Sequence, residues 1–296
     1  MGINIIIILS LIAGIVNVVA RKCFANWYAE GDYQKYVFNA AANILISILM
    51  ILWSGIGSMS FTTVWMGAVY GVFSTVYVIT SLKAMEIGTV SYTNVIISMS
   101  TLIPALSGVI AFGETISVVQ IIGIVFMCVC FFLSVETAGK DGEQKKVTFL
   151  WLLCCFWAFI GNGMLGVMQK WHQNTLYKME LNEFLLVSYI VSSVFSVVYA
   201  VMVYKKQKFE VKTMIFQKKW LIAVVLFGVT WLLTDIYNTY LAGVMDSAVF
   251  FPVYNGLTLC LVIVSALVIF KERPEKRQWA GILVGIVAVV LLCDPF

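Results

Sequence analysis

An all-α integral membrane protein is the fold class this sequence predicts: ten transmembrane helices arranged as two inverted five-helix repeats. Three observations predict it. Of the 296 residues 61% are apolar and only 11% are charged, whereas a soluble domain carries roughly a quarter charged residues. The apolar residues gather into ten runs, most of them near the roughly 20 residues that cross a hydrocarbon core about 30 Å thick. The runs are continuously apolar rather than alternating, which favours helices over a β-barrel. Finally, the two halves of the chain repeat one another.

The first run, 3–20, lacks the basic start and small-residue cleavage site of a removed signal peptide and reads as a span containing Asn17. The second, 36–54, carries Asn39, Asn43 and Ser47 at i, i+4, i+8, one helical stripe. The third, 61–82, places Tyr70, Ser74, Tyr77 and Ser81 on one face. The fourth, 89–112, does the same with Ser91, Asn94, Ser98 and Thr101, and Pro104 is expected to bend it. The fifth, 116–135, is nearly free of polar groups. A charged connector follows, so the domains predicted are 1–135, a linker at 136–147, and 148–296. The sixth run, 148–168, holds Asn162, and the seventh covers 183–204. The eighth, 219–242, carries Trp231, Thr234, Asp235 and Asn238 at i, i+3, i+4, i+7. The ninth, 247–270, contains Pro252, Tyr254, Asn255 and Thr258. The tenth, 278–293, has a close-packing face in Gly281 and Gly285.

Shifting the sequence by 158 pairs Phe112, Glu114, Gln120, Gly123 and Ile124 with Phe270, Glu272, Gln278, Gly281 and Ile282. Ten identities fall among the 52 pairs from Leu82 to Leu133 in that register. Upstream the register loosens: Asn17 pairs with Asn162, and Lys22 with Lys170. Five spans per repeat place the halves in opposite orientations, as in many secondary transporters. Two five-span repeats, each ending in Phe-x-Glu-x5-Gln-x2-Gly, resemble the EamA domains of the drug/metabolite transporter superfamily. The resemblance covers nearly the whole chain. It implies a ten-helix transporter, usually an exporter of amino acids or other small metabolites, driven by an ion gradient or by the substrate's own gradient. It also implies that the first, third, fourth, sixth, eighth and ninth helices line the path. The chain departs from the family in ending Asp-Pro-Phe rather than in a basic tail.

Of 19 Lys and Arg, 17 lie in connectors after odd-numbered spans, leaving only Lys170 and Lys178 on the other side. This bias puts the odd connectors in the cytoplasm and both termini outside a plasma (inner) membrane. The resemblance implies both termini inside; the charge count belongs to this chain and is followed here.

Several functions are excluded. The net charge of +4 is spread over connectors, so no nucleic-acid partner is expected. The seven cysteines have no C-x-x-C spacing, and the chain lacks H-E-x-x-H, so neither a metal site nor a cofactor is expected. Cys23 is placed at the start of a loop. Gly161 to Gly166 spells G-x-G-x-x-G inside an apolar run, where helix packing explains it better than a dinucleotide fold. His172 falls in a connector and reads as solvated. Glu114 and Glu272 read as caps on the helices they precede. With no intramembrane protease motif present, the protein is not expected to be an enzyme.

Asp235 is the one acid well inside a span. A charge there costs about 2.5–3.5 kcal/mol, which makes it a functional candidate. It could carry a proton as the path alternates, or pair with a cationic substrate group; bonding between helices is the competing structural reading. Candidate substrate-binding residues are Asn17, Tyr77, Asn94, Ser98, Asn162, Trp231, Thr234, Asn238, Tyr254 and Asn255. Aromatic rings beside amides suit an amino acid, and suit an organic cation or a nucleoside nearly as well. The expected function is secondary active transport of a small polar or amphipathic metabolite, by export. Proton-coupled import and a non-transporting accessory or sensor protein are the alternatives. The partners expected are that small molecule, the lipid bilayer and protons, with the chain a monomer or a homodimer.

Overall fold

The computed structural model describes residues 2–28, 32–55, 57–87, 93, 96–133, 148–207, 217–270 and 276–293. Among them are ten α-helices: α1 Ile3–Tyr28, α2 Asp32–Ser54, α3 Phe61–Ile87, α4 Leu102–Phe112, α5 Val118–Leu133, α6 Phe149–Gln173, α7 Leu181–Gln207, α8 Lys218–Val244, α9 Ser247–Phe270 and α10 Lys276–Leu292. Seven of these (α1, α2, α3, α6, α7, α8 and α9) contain stretches long and apolar enough to cross a membrane. Ile96–Phe112 and Val118–Leu133 are shorter apolar helices. Large apolar side chains such as Ile110, Val125, Phe132, Leu226 and Leu283 stand exposed, as lipid-facing residues do. The protein is an all-helical, multi-pass membrane protein.

Each predicted span overlaps a helix among the described residues, though residues 89–92, 94 and 95 of the fourth lie outside them, and several helices outrun their apolar stretch. α1 continues through Cys23 to Tyr28, so Cys23 is helical rather than at the start of a loop. α6 continues to Gln173 and takes Lys170 and His172 out of the connector to which the sequence assigns them. Apolarity marks the thickness of lipid, whereas backbone hydrogen bonding sets where a helix stops. Pro104 is preceded by a 3-10 turn, Met99–Thr101, that tightens the chain ahead of α4.

The chain forms two compact units. One comprises residues 1–75 and 171–240, the other 76–170 and 241–296, with the changes of unit inside α3, α6 and α8. Each unit draws on both sequence halves, so the compact units do not coincide with the predicted repeats.

In the first unit α2 packs antiparallel to α7. The Asn39 and Asn43 amides both donate to the Ser196 hydroxyl at 3.2 Å, and Ser47 meets Ser193 at 3.2 Å. The polar stripe on α2 therefore bonds helices together. Phe38 and Ala42 of α2 pack with Trp220, Ala223 and Phe227 of α8. α3 approaches α7 more closely. A Cβ on Gly67 would lie 2.7 Å from the Phe184 carbonyl oxygen, and one on Gly71 would lie 2.5 Å from that of Ser188. Ser192 Oγ donates to the Gly71 carbonyl at 3.1 Å.

In the second unit α5 runs antiparallel to α10, and α4 to α9. Gly123 meets Leu292 at one end of the α5–α10 contact, and Gly285 meets Cys130 further along. Met127, Cys130, Phe131, Cys260, Ile282 and Leu292 form its core. Trp151 of α6, buried with Cys154 and Cys155, donates its indole N–H to Thr93 at 3.0 Å. All six cysteines whose side chains are described are free thiols.

The α3–α7 contact yields a prediction. A Gly71→Val side chain would run into the Ser188 carbonyl oxygen and the Val191 side chain, and overpacking of this kind costs about 1–3 kcal/mol. Thermal unfolding in detergent should show Gly71→Val strongly destabilised and Val72→Ala, on an exposed position of the same helix, close to wild type. Equal melting of the two variants would refute the close approach.

Candidate functional site

Asp235 lies on α8 and is 8% exposed. The Tyr189 hydroxyl, from α7, donates to its Oδ2 at 2.5 Å. Tyr70 of α3 and Trp231, one turn earlier on α8, stand beside the carboxylate. Trp231 stands edge-on to Phe227 at 5.0 Å and to Tyr189 at 6.5 Å between ring centroids. α1 runs antiparallel alongside: Ser10 donates to Asn238 at 2.6 Å, and Asn17 donates to the Phe227 carbonyl at 3.0 Å. Thr234 bonds back to the Thr230 carbonyl at 2.8 Å, the local bond that a helical threonine usually makes. Of the residues singled out from sequence, the first unit thus gathers Asn17, Trp231, Thr234, Asp235 and Asn238 on α1 and α8.

Tyr189 went unnoticed in the sequence. The available signal was Ser188, Ser192 and Ser196 at four-residue spacing, a polar stripe with Tyr189 at its edge. Ser188 and Ser192 lie on the face that α3 approaches.

The second unit holds the remaining described candidates. Asn162 of α6 donates to Ser100 at 2.7 Å. Asn255 of α9 donates to the Phe251 carbonyl at 2.9 Å and to Thr101 at 3.3 Å. Two amides therefore converge on adjacent hydroxyls of the 3-10 turn. Tyr254 is buried 5.8 Å from the Phe250 ring. Ser98 and Tyr77 are half-buried. Asn94, Ser91 and Glu272 lie outside the described residues.

Glu114 does not cap the helix that it precedes. Gly113, at φ 68°, turns the chain so that the carboxylate folds back over Gly108. There Glu114 accepts from the Ser247 N–H at 2.7 Å and the Ser247 hydroxyl at 3.2 Å, capping α9 instead. Lys170 pairs with it at 2.6 Å, both side chains being 7% exposed, and also donates to the Met245 carbonyl at 2.8 Å. One buried ion pair thus ties the ends of α4, α6, α8 and α9.

His172 is not solvated. Its ring is fully buried, stacked on Phe184 at 4.4 Å. Its nitrogens lie 3.3 Å from Thr63 Oγ1 and 3.3 Å from Gln173 Nε2. Nearby Glu180, between α6 and α7, accepts from the Ser60 N–H at 3.0 Å and the Ser60 hydroxyl at 2.8 Å. The Thr63 hydroxyl first, and then the Ser60 N–H, hold the Glu180 carboxyl below its ordinary value. Gly161, Gly163 and Gly166 sit within α6, where a Cβ on Gly163 would lie 2.4 Å from Ile103, so the G-x-G-x-x-G run serves helix contact. Among the described residues no three His, Cys, Asp or Glu side chains cluster as metal ligands.

Two predictions come from these networks. Leaving one member of a buried pair uncompensated costs about 3–5 kcal/mol. Lys170→Met and Glu114→Gln should each lower the melting temperature sharply, and the double variant should recover part of the loss; additive effects would sink the pairing. A depressed Glu180 pKa contributes stability that is full above the unfolded-state value and is lost as pH falls through the folded one. Acid unfolding curves of wild type and Glu180→Gln should therefore separate at neutral pH and converge in acid.

No family model and no curated protein matches this chain. A solved crystal structure of another protein superposes with a TM-score of 0.75 over 98% of this chain and 95% of the other, at 11% identity. At that identity the likeness shows the fold alone.

Proposed function

We propose that this protein is an inverted-repeat secondary transporter of EamA type, which moves a small polar or amphipathic metabolite across the plasma (inner) membrane by alternating access, in the direction of export. The observation that carries the reading is Asp235: an acid inside a membrane-crossing helix, bonded by the Tyr189 hydroxyl and with no ion-pair partner among the described residues. An apolar residue would fill this place in lipid at lower cost, which makes the acid a functional candidate.

Helix pairing supports the repeat. α2 with α7, α4 with α9 and α5 with α10 are counterparts in the two halves, and each pair packs antiparallel. Counterparts related by a two-fold axis in the membrane plane meet in that way. The amides of Asn17 in one unit, and of Asn162 and Asn255 in the other, are groups with which a small polar solute can exchange hydrogen bonds.

The test is comparative metabolite profiling of cytoplasm and medium in cells expressing wild type, Asp235→Asn or no transporter. A compound should accumulate in the medium with wild type only, naming the substrate and the direction together. In proteoliposomes, Asp235→Asn should abolish flux driven by a pH gradient while sparing substrate counterflow. Loss of both would assign the carboxylate to a cationic substrate. Driven flux that survives in the folded variant would remove Asp235 from the mechanism.

A further inference from the structure

The inference that follows rests on the transporter reading and on the surroundings of Asp235. Among the described residues the Tyr189 hydroxyl from α7 donates to the carboxylate, with Tyr70 of α3 and Trp231 of α8 beside it. α1 brings uncharged Ser10 and Asn17, which bond to Asn238 and to the Phe227 carbonyl. α2 meets α8 through Phe38 and Ala42. None of these contacts brings a Lys, Arg or His to Asp235.

A metal cation needs several oxygen acceptors converging on one point. Here the described bond comes from a donor, the Tyr189 hydroxyl, which turns its hydrogen rather than a lone pair toward Oδ2. α8 is unbroken from Lys218 to Val244, so its mid-helix carbonyls are already engaged in the backbone ladder. An organic ammonium needs room beside the carboxylate. One groove of this unit is lined by Leu49, Leu52, Trp53, Val229, Leu232 and Leu233, none of which offers a polar group. A proton alone needs neither acceptors nor space.

We propose that Asp235 is a proton-binding site with Tyr189 as its positioning residue, and that proton exchange there couples transport to the proton gradient. On protonation one Asp235 oxygen gains an O–H bond and becomes a donor. The Tyr189 phenol can both donate and accept, so its oxygen receives the new O–H while its own hydrogen turns away. Release returns the proton to water and restores the Tyr189-to-Asp235 bond. Phenylalanine at 189 keeps the ring but removes both roles.

Infrared difference spectroscopy on the purified protein in lipid nanodiscs tests this with protons and sodium ions as the probes. A pH titration should develop a protonated-carboxyl C=O band that shifts in D2O. It should be lost in Asp235→Asn, move in frequency in Tyr189→Phe, and stay unchanged when sodium is added at fixed pH. A band that persists in Asp235→Asn, or that sodium abolishes, overturns the proton site. An identical band in Tyr189→Phe overturns the role of Tyr189. Circular dichroism and monodisperse elution establish that each variant is folded, and if Asp235→Asn is not, the Tyr189→Phe frequency shift decides. Because no substrate is present, failure here leaves transport standing, and a failed transport assay leaves this result standing.

Discussion

Lipid offers no hydrogen bonds, and that single constraint governs both the backbone and the polar side chains of this protein. It forces the membrane-crossing chain into helices, whose ladders satisfy their own amides. It then favours a partner on the same or a neighbouring helix for each buried polar side chain, although Trp220 Nε1, Thr239 Oγ1 and Thr258 Oγ1 find none among the described residues. Asn39 and Asn43 find Ser196, Asn162 finds Ser100, Trp151 finds Thr93, and Ser10 finds Asn238. These bonds are few, so each fixes the rotation and register of a helix that apolar packing alone would leave free to turn. Lys170 and Glu114 carry the same logic furthest: burying both charges is tolerable because each also serves a helix end, the Met245 carbonyl for one and the Ser247 N–H for the other.

The features legible in the sequence are those set by the solvent. Apolar run length located the helices, and the stripes on α2 and α8 showed which faces turn inward. Asp235 was legible for the same reason, because a charge among apolar residues stands out without any knowledge of its neighbours. What was not legible depends on tertiary partners. Tyr189 is one tyrosine among 13 until α8 lies against it. Gly67 and Gly71 are ordinary small residues until the α7 backbone arrives. Glu114 sits where its own helix could use it, yet the left-handed turn at Gly113 sends it to α9. Lys170 and His172 were misplaced because hydropathy falls before the helix ends.

The two halves share their scaffolding more than their chemistry. Gly123 and Gly281 match in the repeat register, and both lie on the α5 and α10 faces that are buried. Phe112 and Phe270 close α4 and α9 alike. At the position of Asp235 the first half has Tyr77. Packing residues recur because counterpart helices meet antiparallel and must fit each other along their whole length.

For an acid the opposite pressure applies. Under the alternating-access reading one carboxylate is offered to each side in turn, and its charge is exchanged once per cycle. A second acid at Tyr77 would add another insertion cost of about 2.5–3.5 kcal/mol and a second charge to neutralise before the helices could move. It would also let one site load while the other emptied, which uncouples flux from the gradient. On that reading, packing residues that recur beside one acid that does not recur avoid all three, and the Tyr189 hydroxyl of α7 is the described donor that meets that acid in lipid.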